Sequence, residues 1–352
     1  MRARRKSKRP SPSREAIEAP PAAGATEHPA RRPDSPVIEI TLDNLLEAQA
    51  GLAGVAERTP LIPLPLGIPG AEVRLKAEQF QPIGAFKIRG AWTAVRRLDP
   101  SARRRGVVTS SSGNHGMGVA WAANRLGVRA VVVMPESAAS VKVEGVRRLG
   151  AEVVLAGKTR GAEQAAEAER YVARDGLTMI PPFDHPDVIA GQGTIGLEIL
   201  EQWPEVGTVI APVGGGGLLA GICTAVRTTR ARVRVVAVEP ARIPKVSAAI
   251  SRGEPTAVEA GPSLADGLLT RSIGDLTWPL IRDVAEGVVS VTDDDLRAAM
   301  RWLAGAGIRV EPSGAAATGA ILAGHFHPEG PTVAVSTGGN VDPERYRELT
   351  TE

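Results

Sequence analysis

Short apolar runs dense in valine alternate along this chain with stretches of helical spacing, and this alternation restricts the possible folds most strongly. The apolar runs cover residues 107–109, 130–134, 152–155, 208–213, 233–239 and 332–336. The helical patterns cover residues 41–58, 87–98, 114–126, 140–149, 161–174, 193–202, 217–228 and 293–304. Apolar runs without alternation are typical of parallel strands that are covered on both faces. Strands and helices in this order predict an α/β fold with parallel sheets.

The composition limits the class of protein. A chain of 352 residues is long enough for two domains or one large α/β unit. Its one cysteine, Cys223, excludes an internal disulfide and a cysteine-ligated metal site. The chain has no apolar run of the roughly 18 residues that a transmembrane helix needs. These features predict a cytoplasmic protein with no membrane partner.

The basic charge of the chain is confined to its first residues. Nine basic and four acidic residues lie within residues 1–34, and the remainder has 33 basic and 35 acidic residues. Residues 1–35 are rich in arginine, proline, serine and alanine and lack the apolar core of a secretory signal. They predict a disordered basic tail, with a nucleic-acid-binding arm as the alternative interpretation. We expect no nucleic-acid partner.

Two glycine-containing loops follow predicted strands, which is where parallel sheets bind ligands. The first, SSSGNHG at 110–116, gathers backbone N–H groups at a helix N-terminus and predicts a cradle for a carboxylate or phosphate. A serine N-cap is the alternative. The second, GGGGLLAG at 214–221, has four consecutive glycines without an evident packing use, which predict a backbone nest around a phosphate. A flexible hinge is the alternative, and the Gly-Lys-Ser/Thr of a Walker loop is absent.

Three further segments are ambiguous on their own. Lys87 in GAFKIRGA, residues 84–91, is either a surface lysine or an amine held among apolar neighbours for Schiff-base chemistry. VSTGGN at 335–340 places the hydroxyls of Ser336 and Thr337 in a strand-end loop, or is a simple turn. GQGTIG at 191–196 has the spelling of a dinucleotide loop. No acidic residue follows the next strand to hold a ribose, so we expect no such site there.

Taken together, the motifs resemble those of the fold type II pyridoxal-phosphate enzymes, specifically the threonine/serine dehydratase and serine racemase family. The matching segments occur in the family order over about residues 38–342 and read KAEQFQPIGAFKIRGA, TSSSGNHG, VIAGQGTIGLEI, APVGGGGLLAG, VEP, LADG, VEPSGA and STGGNVD. The resemblance implies a tryptophan synthase β-like fold of two parallel-sheet α/β domains with the cofactor in the cleft between them. We expect a large cofactor domain from residues 36–106 and 183–352, a small substrate-carboxylate domain from residues 107–182, and a homodimer.

The resemblance also implies a role for individual residues. Lys87 matches the lysine that binds pyridoxal 5'-phosphate covalently and moves the Cα proton, and Ser112 matches the opposite-face acid/base of serine racemase. The other residues implied to bind the cofactor are Phe86, Asn114, Gly214, Gly215, Gly216, Gly217, Leu218 and Thr337. The residues implied to hold the substrate carboxylate are Ser111, Ser112, Gly113, Asn114 and His115.

These roles imply β-elimination of water from L-threonine or L-serine, which gives a 2-keto acid and ammonia. Serine racemisation is one alternative, because Ser112 matches the opposite-face acid/base and GAFKIRGA fits both branches of the family. Dehydration of hydroxyaspartate, phenylserine or a hydroxyectoine-derived compound is another, because Ile83 and Met117 depart from the usual family residues. If Arg160 lies near the substrate side chain, its positive charge would favour an acidic substrate. A non-catalytic binding protein is an alternative from another class, and the retained Lys87 and glycine loop argue against it.

Two departures concern regulation. The racemase branch of the family has an acidic residue six positions after the glutamate of VEP, and the two help to bind a divalent cation. This chain retains Glu239 but has Lys245 at the second position, so we expect no metal site. The chain ends soon after STGGNVD, and we expect no C-terminal regulatory domain that would confer feedback by isoleucine.

Overall fold

The computed structural model describes residues 39–111, 113–138, 140–159, 161–229 and 232–351, and the tail predicted for residues 1–35 lies outside these ranges. The described strands are β1 (Leu61–Leu64), β2 (Val73–Ala77), β3 (Val107–Ser110), β4 (Ala130–Met134), β5 (Glu152–Leu155), β6 (Thr178–Met179), β7 (Thr208–Pro212), β8 (Arg234–Pro240), β9 (Ala285–Val291) and β10 (Thr332–Ser336). The described helices are α1 (Leu42–Leu52), α2 (Lys87–Arg97), α3 (Pro100–Arg105), α4 (Asn114–Leu126), α5 (Ser140–Arg148), α6 (Ala162–Asp175), α7 (Pro186–Gln202), α8 (Gly217–Thr229), α9 (Lys245–Arg252), α10 (Thr277–Arg282), α11 (Asp293–Gly305), α12 (Pro312–Leu322) and α13 (Pro343–Thr350).

The strands form two sheets. The larger has the order β1-β2-β10-β7-β8-β9 and is parallel except for the antiparallel pair of β1 and β2. The smaller has the order β5-β4-β3-β6 and is parallel throughout. Strands β4, β7 and β10 are buried along their whole length, as expected for parallel strands with helices on both faces. The predicted parallel α/β architecture is confirmed.

The sequence patterns missed β1, β2, β6 and β9. Strand β1 contains a proline, Pro63, and lies at a sheet edge, where a strand tolerates proline. In β2, the sequence VRLKA places a buried lysine, Lys76, inside the strand. Strand β6 has only two residues, and β9 is an edge strand whose register against β8 shifts between Val235 and Val236. None of these four has the continuous apolar run that identifies a central parallel strand.

A buried cluster of four charged residues joins α2 to its neighbours. The Arg89 guanidinium contacts Glu78 at 2.8 Å and Glu198 at 2.6 Å, and the Lys76 ammonium contacts Glu198 at 2.6 Å. Burial alone would raise the pKa of Glu78, but the nearby Arg89 outweighs it and lowers that pKa. Because Arg89 lies two residues after Lys87, the cluster fixes the first turn of α2 against β2 and α7.

The segment GQGTIG lies in the middle of α7 and is not a strand-to-helix loop. Its glycines let α7 approach two other helices closely. A Cβ atom on Gly191 would lie 2.5 Å from the Arg89 carbonyl oxygen on α2, and a Cβ atom on Gly221 of α8 would lie 2.5 Å from the Gly193 nitrogen. Helix packing therefore accounts for these glycines.

Contacts join the described residues into one compact unit. The four-stranded sheet is built from residues within 107–179, and the six-stranded sheet from residues before and after that range. The division into a large domain of residues 36–106 and 183–352 and a small domain of residues 107–182 remains a prediction. Among the described helices, none combines the length and apolar character needed to cross a membrane.

Candidate active site

A cavity of about 240 Å³ lies where the carboxyl ends of β3, β7 and β10 meet the first turn of α2. Every described residue to which the resemblance assigned a catalytic, cofactor-binding or carboxylate-binding role lines it. These are Phe86, Lys87, Ser111, Gly113, Asn114, His115, Gly214, Gly215, Gly216, Gly217, Leu218 and Thr337. Ser112 and Arg160 lie outside the described residues. The parallel topology thus brings segments more than 200 residues apart in sequence to one site.

Lys87 is the first residue of α2, and its ammonium faces the cavity. Its Nζ donates a hydrogen bond to the Pro182 carbonyl oxygen at 2.6 Å and lies 5.1 Å from the centre of the Phe86 ring. The Phe86 N–H donates to the Thr337 carbonyl oxygen at 3.1 Å, which ties the start of α2 to the end of β10. A primary amine is therefore held beside an aromatic ring inside the cavity, and the surface-lysine interpretation is wrong.

The glycine loop 214–217 leads from β7 into α8 and is closely packed by neighbouring side chains. A Cβ atom on Gly215 would overlap the Phe183 ring, and one on Gly216 would lie 2.7 Å from Thr277 Oγ1. Gly216 also has a φ of 99°, which favours glycine. The expectation that these glycines have no packing use is wrong, because Phe183, which also lines the cavity, and Thr277 pack closely against them.

The same loop is anchored at a fixed position. The Gly215 carbonyl oxygen accepts hydrogen bonds from the Gly274 N–H at 3.1 Å and from Thr277 Oγ1 at 2.8 Å. The Asp184 carboxylate in turn accepts from the Leu276 N–H at 2.9 Å. An anchored loop whose backbone opens into a helix N-terminus suits an anion such as phosphate and does not suit a flexible hinge.

In the loop that begins at Ser110, the side chains of Ser111 and His115 both bond to the protein backbone. The Ser111 hydroxyl accepts hydrogen bonds from the N–H groups of Gly113 at 3.3 Å and Gly116 at 3.1 Å. Ser111 thus bonds an N–H in the first turn of α4, although the N-cap residue of that helix is Gly113 and not a serine. The His115 ring is buried, and its Nε2 lies 2.9 Å from the Ile180 carbonyl oxygen. Burial, together with the nearby Lys87, lowers the pKa of His115 to about 3. His115 is therefore neutral and held by a backbone carbonyl.

Sequence reasoning missed a set of polar residues that contact Asn114 or line the same wall. The Asn114 Nδ2 donates to Glu311 Oε1 at 2.7 Å, and Asn340 Nδ2 donates to Asn114 Oδ1 at 2.8 Å. Lys142 on α5 forms an ion pair with Asp266, and both line the cavity with Glu311. Glu311, Asp266 and Asn340 occur in the segments VEPSGA, LADG and STGGNVD. The segments that carry the family resemblance therefore contain these residues. The sequence does not show which of their side chains pair, because the partners lie far apart in the chain.

The Glu239 region does not fit a divalent cation. Glu239 uses its carboxylate to accept from the Val246 N–H at 2.6 Å and from Ser247 Oγ at 2.6 Å. The Lys245 ammonium is buried beside it and donates to the Leu268 carbonyl oxygen at 3.2 Å. Burial lowers the pKa of Lys245 to about 8. Within the described part of the chain, no group of three or more histidine, cysteine, aspartate or glutamate residues could hold a metal ion.

The family model described as "Pyridoxal-phosphate dependent enzyme" matches residues 52–338. The chain belongs to this family. It is 40% identical over 308 residues to the L-threonine ammonia-lyase of Thermotoga maritima, covering 86% of this chain and 76% of that protein. It is 36% identical over 326 residues to the catabolic L-threonine dehydratase of Escherichia coli K12, covering 89% and 97%.

Solved structures agree with this membership. The structure of maize serine racemase superposes with a TM-score of 0.82 at 33% identity and covers 88% of this chain and 96% of that one. The predicted fold type and the predicted pyridoxal 5'-phosphate cofactor are thus confirmed. The cavity fits this cofactor, because it combines a primary amine, an aromatic ring and a glycine-lined anion cradle.

Proposed function

We propose that this chain is a pyridoxal-phosphate-dependent ammonia-lyase that eliminates water from L-threonine or L-serine and yields a 2-keto acid and ammonia. The observation that carries the proposal is the position of Lys87, whose amine lies in the cavity with the glycine loop and Asn114. The relatives named L-threonine ammonia-lyase and L-threonine dehydratase support it at 36–42% identity over most of the chain.

The proposal assigns each side of the cavity a task. The N–H groups of the glycine loop and of the start of α8 would hold the cofactor phosphate. Asn114 would hold the ring oxygen, Phe86 would pack against the ring, and Leu218 would complete the cradle. The backbone of the loop from Ser111 to His115 binds the substrate carboxylate. When bound, pyridoxal phosphate supplies the carbonyl that captures the substrate amine and the electron-withdrawing ring that makes the Cα–H acidic.

Lys87 then holds and moves the proton. Its amine removes the proton from Cα of the substrate and is placed for this by α2, which the buried charge cluster fixes. We assign Thr337 to the pyridine nitrogen. Its hydroxyl is neutral and does not stabilise a proton on that nitrogen as a carboxylate does, and this favours prompt loss of the β-hydroxyl group. That group leaves as water with one added proton, which balances the proton that Lys87 takes from Cα. The enamine that remains tautomerises and is hydrolysed by one water to the 2-keto acid and ammonia. The enzyme therefore eliminates water faster than it would transaminate.

Serine racemisation is the second candidate, because a serine racemase from rice is 34% identical over 310 residues and Ser112 matches the residue that would protonate the opposite face. Dehydration of a different β-hydroxy amino acid uses the same proton transfer with a different side-chain pocket. We further propose a cytoplasmic homodimer with a mobile small domain of residues 107–182, supported by the family resemblance.

Product analysis separates these candidates. We expect L-threonine and L-serine to yield 2-keto acid and ammonia in equal amounts, measured with the purified holoenzyme. The Lys87→Ala variant should form neither product, while Lys158→Ala, which replaces an exposed lysine outside the cavity, should retain wild-type rates. Conversion of L-serine to D-serine without keto acid would replace the proposal with a racemase. No reaction with either amino acid would point to another hydroxy amino acid.

A further inference from the structure

Four glutamates in the described part of the chain are almost fully buried, and three of them have partners that stabilise a negative charge. These three are Glu78, Glu198 and Glu239. Their partners are Arg89 for Glu78, Lys76 and Arg89 for Glu198, and the N–H groups of Val246 and Ser247 with the Ser247 hydroxyl for Glu239. A buried carboxylate needs such partners, because an unpaired charge in the protein interior is very costly.

The fourth glutamate, Glu311, is 2% exposed and lies in the wall of the cavity. Its Oε1 accepts one hydrogen bond, from the neutral amide of Asn114 at 2.7 Å. Its Oε2 is buried and accepts no hydrogen bond from the described residues. Glu311 also occupies the N-cap position of α12, yet its side chain does not accept from the N–H groups of that helix. The usual means of stabilising a buried carboxylate are thus missing.

The charged groups around Glu311 are Asp266 and Lys142. Both line the same cavity, Asp266 in the segment Asp266–Leu268 and Lys142 on α5. The Lys142 ammonium is paired with the Asp266 carboxylate. This pairing limits how much positive charge Lys142 offers to Glu311. Burial and the neighbouring Asp266 raise the pKa of Glu311 to about 8, against the opposing effects of Lys142 and the Asn114 hydrogen bond.

The hydrogen bonds of Asn114 show what Glu311 does. Asn340 donates to the Asn114 carbonyl oxygen at 2.8 Å, while the Asn114 amide nitrogen donates to Glu311. Both ends of the amide are therefore fixed, and the second N–H of Asn114 Nδ2 is left for a ligand in the cavity. A carboxylate anion at this place would put negative charge beside any anionic ligand oxygen that Asn114 holds.

We propose that Glu311 is a positioning residue that is uncharged in the working enzyme and orients the Asn114 amide toward the cofactor. The inference rests on the proposed function, because Asn114 is assigned there to the anionic ring oxygen. It adds a residue that acts through Asn114. It also predicts that ionisation of Glu311 changes the absorption and the activity of the enzyme. A Glu311 with a merely structural role would cause no such pH-dependent change.

The expected titration has a definite sign. Below about pH 8 Glu311 is protonated, and above it the carboxylate forms beside Asn114. We therefore expect the near-visible absorption band of the resting holoenzyme to change as pH rises through that region, and kcat to fall over the same range. The Asp266→Asn variant removes a neighbouring negative charge, which makes ionisation easier and shifts both changes to lower pH.

Two substitutions of Glu311 separate charge from geometry. Glu311→Ala removes the acceptor for Asn114 and should lower kcat/KM and cofactor affinity by roughly 10- to 100-fold each. Glu311→Gln retains an acceptor oxygen in a neutral group, so it should restore most of that loss. Because a glutamine cannot ionise, its spectrum and its kcat should not change near pH 8. If neither variant folds, the shift caused by Asp266→Asn decides the question.

Lys245→Met is the control, because Lys245 also has a pKa lowered to about 8 and holds the cavity-wall residue Leu268. The inference is overturned if the titration persists in Glu311→Gln, if it disappears in Lys245→Met, or if Glu311→Gln is as impaired as Glu311→Ala. A wild-type enzyme that forms no keto acid would contradict the proposed function instead. The spectral titration would still test Glu311 in that case.

Discussion

The neighbours of Lys87 determine its chemistry. Its amine is held by the Pro182 carbonyl and lies beside Phe86, and α2 is tied down by the buried Arg89 two residues later. An amine that must react repeatedly benefits from being placed by rigid secondary structure. The glycine loop is placed in the same way, because the Phe183 ring packs closely against Gly215.

Gly215 gives a prediction at the scale of one residue. A Cβ atom there would overlap the Phe183 ring, so Gly215→Ala should displace the loop and weaken cofactor affinity by roughly 10- to 100-fold, equivalent to the 1–3 kcal/mol of an overpacked site. Cofactor titration followed by absorbance measures this. The matched variant Gly287→Ala, on edge strand β9 with open space around the added atom, should bind the cofactor like the wild type. Unchanged affinity in Gly215→Ala would contradict the assignment of the loop.

Lys245 leads to a prediction about metal ions. Its buried ammonium lies beside Glu239, and the Glu239 carboxylate is already bonded to the start of α9. We expect exhaustive chelation to leave the activity unchanged, and added Mg²⁺ or Ca²⁺ not to increase it. Activity that is lost on chelation and restored by Mg²⁺ would show that a cation site exists despite Lys245.

At the scale of elements, α7 packs closely against α2 and α8, the two helices that begin at the cavity. Glycines 191 and 193 on α7 and Gly221 on α8 remove the side chains that would separate the helices. The helices α2 and α8 both begin at the cavity, with Lys87 and Gly217. Their distance from each other is therefore set partly by this packing.

Gly221→Ala tests this packing. Its Cβ atom would lie 2.5 Å from the Gly193 nitrogen, and overpacking of this kind lowers the free energy of unfolding by about 1–3 kcal/mol. Urea unfolding followed by circular dichroism measures the change. Gly305→Ala, at the end of α11 with nothing near the added atom, should be neutral or up to about 1 kcal/mol more stable. Equal stability of the two variants would show that the contact between α7 and α8 yields easily.

For the whole molecule, the sequence predicted those features that depend on a short stretch of neighbouring residues. The Val-rich central strands and the loops that follow them were found because hydrophobic pattern and glycine content are local. Strand β2 was missed because its Lys76 is buried by a partner on α7 that lies 122 residues away. Glu311 was missed for the same reason, since its role depends on contacts with Asn114, 197 residues away in sequence.

The topology explains how distant motifs form one site. Strands β7 and β10 are neighbours in the large sheet, so the glycine loop and Thr337 emerge at one edge. Strand β3 of the small sheet delivers Ser111 and Asn114 to the same cavity. The ion pair of Lys142 and Asp266 joins the range 107–182 to the remainder of the chain at the wall of the cavity.

The measurement that tests the central claim most directly is chemical trapping of the cofactor. Borohydride reduction of the holoenzyme followed by peptide mass spectrometry locates the lysine that binds pyridoxal phosphate. We predict the adduct on the peptide that contains Lys87, and no adduct in Lys87→Ala under the same conditions. An adduct on Lys142, which also lines the cavity, or no adduct in the wild type, would contradict the assignment of Lys87.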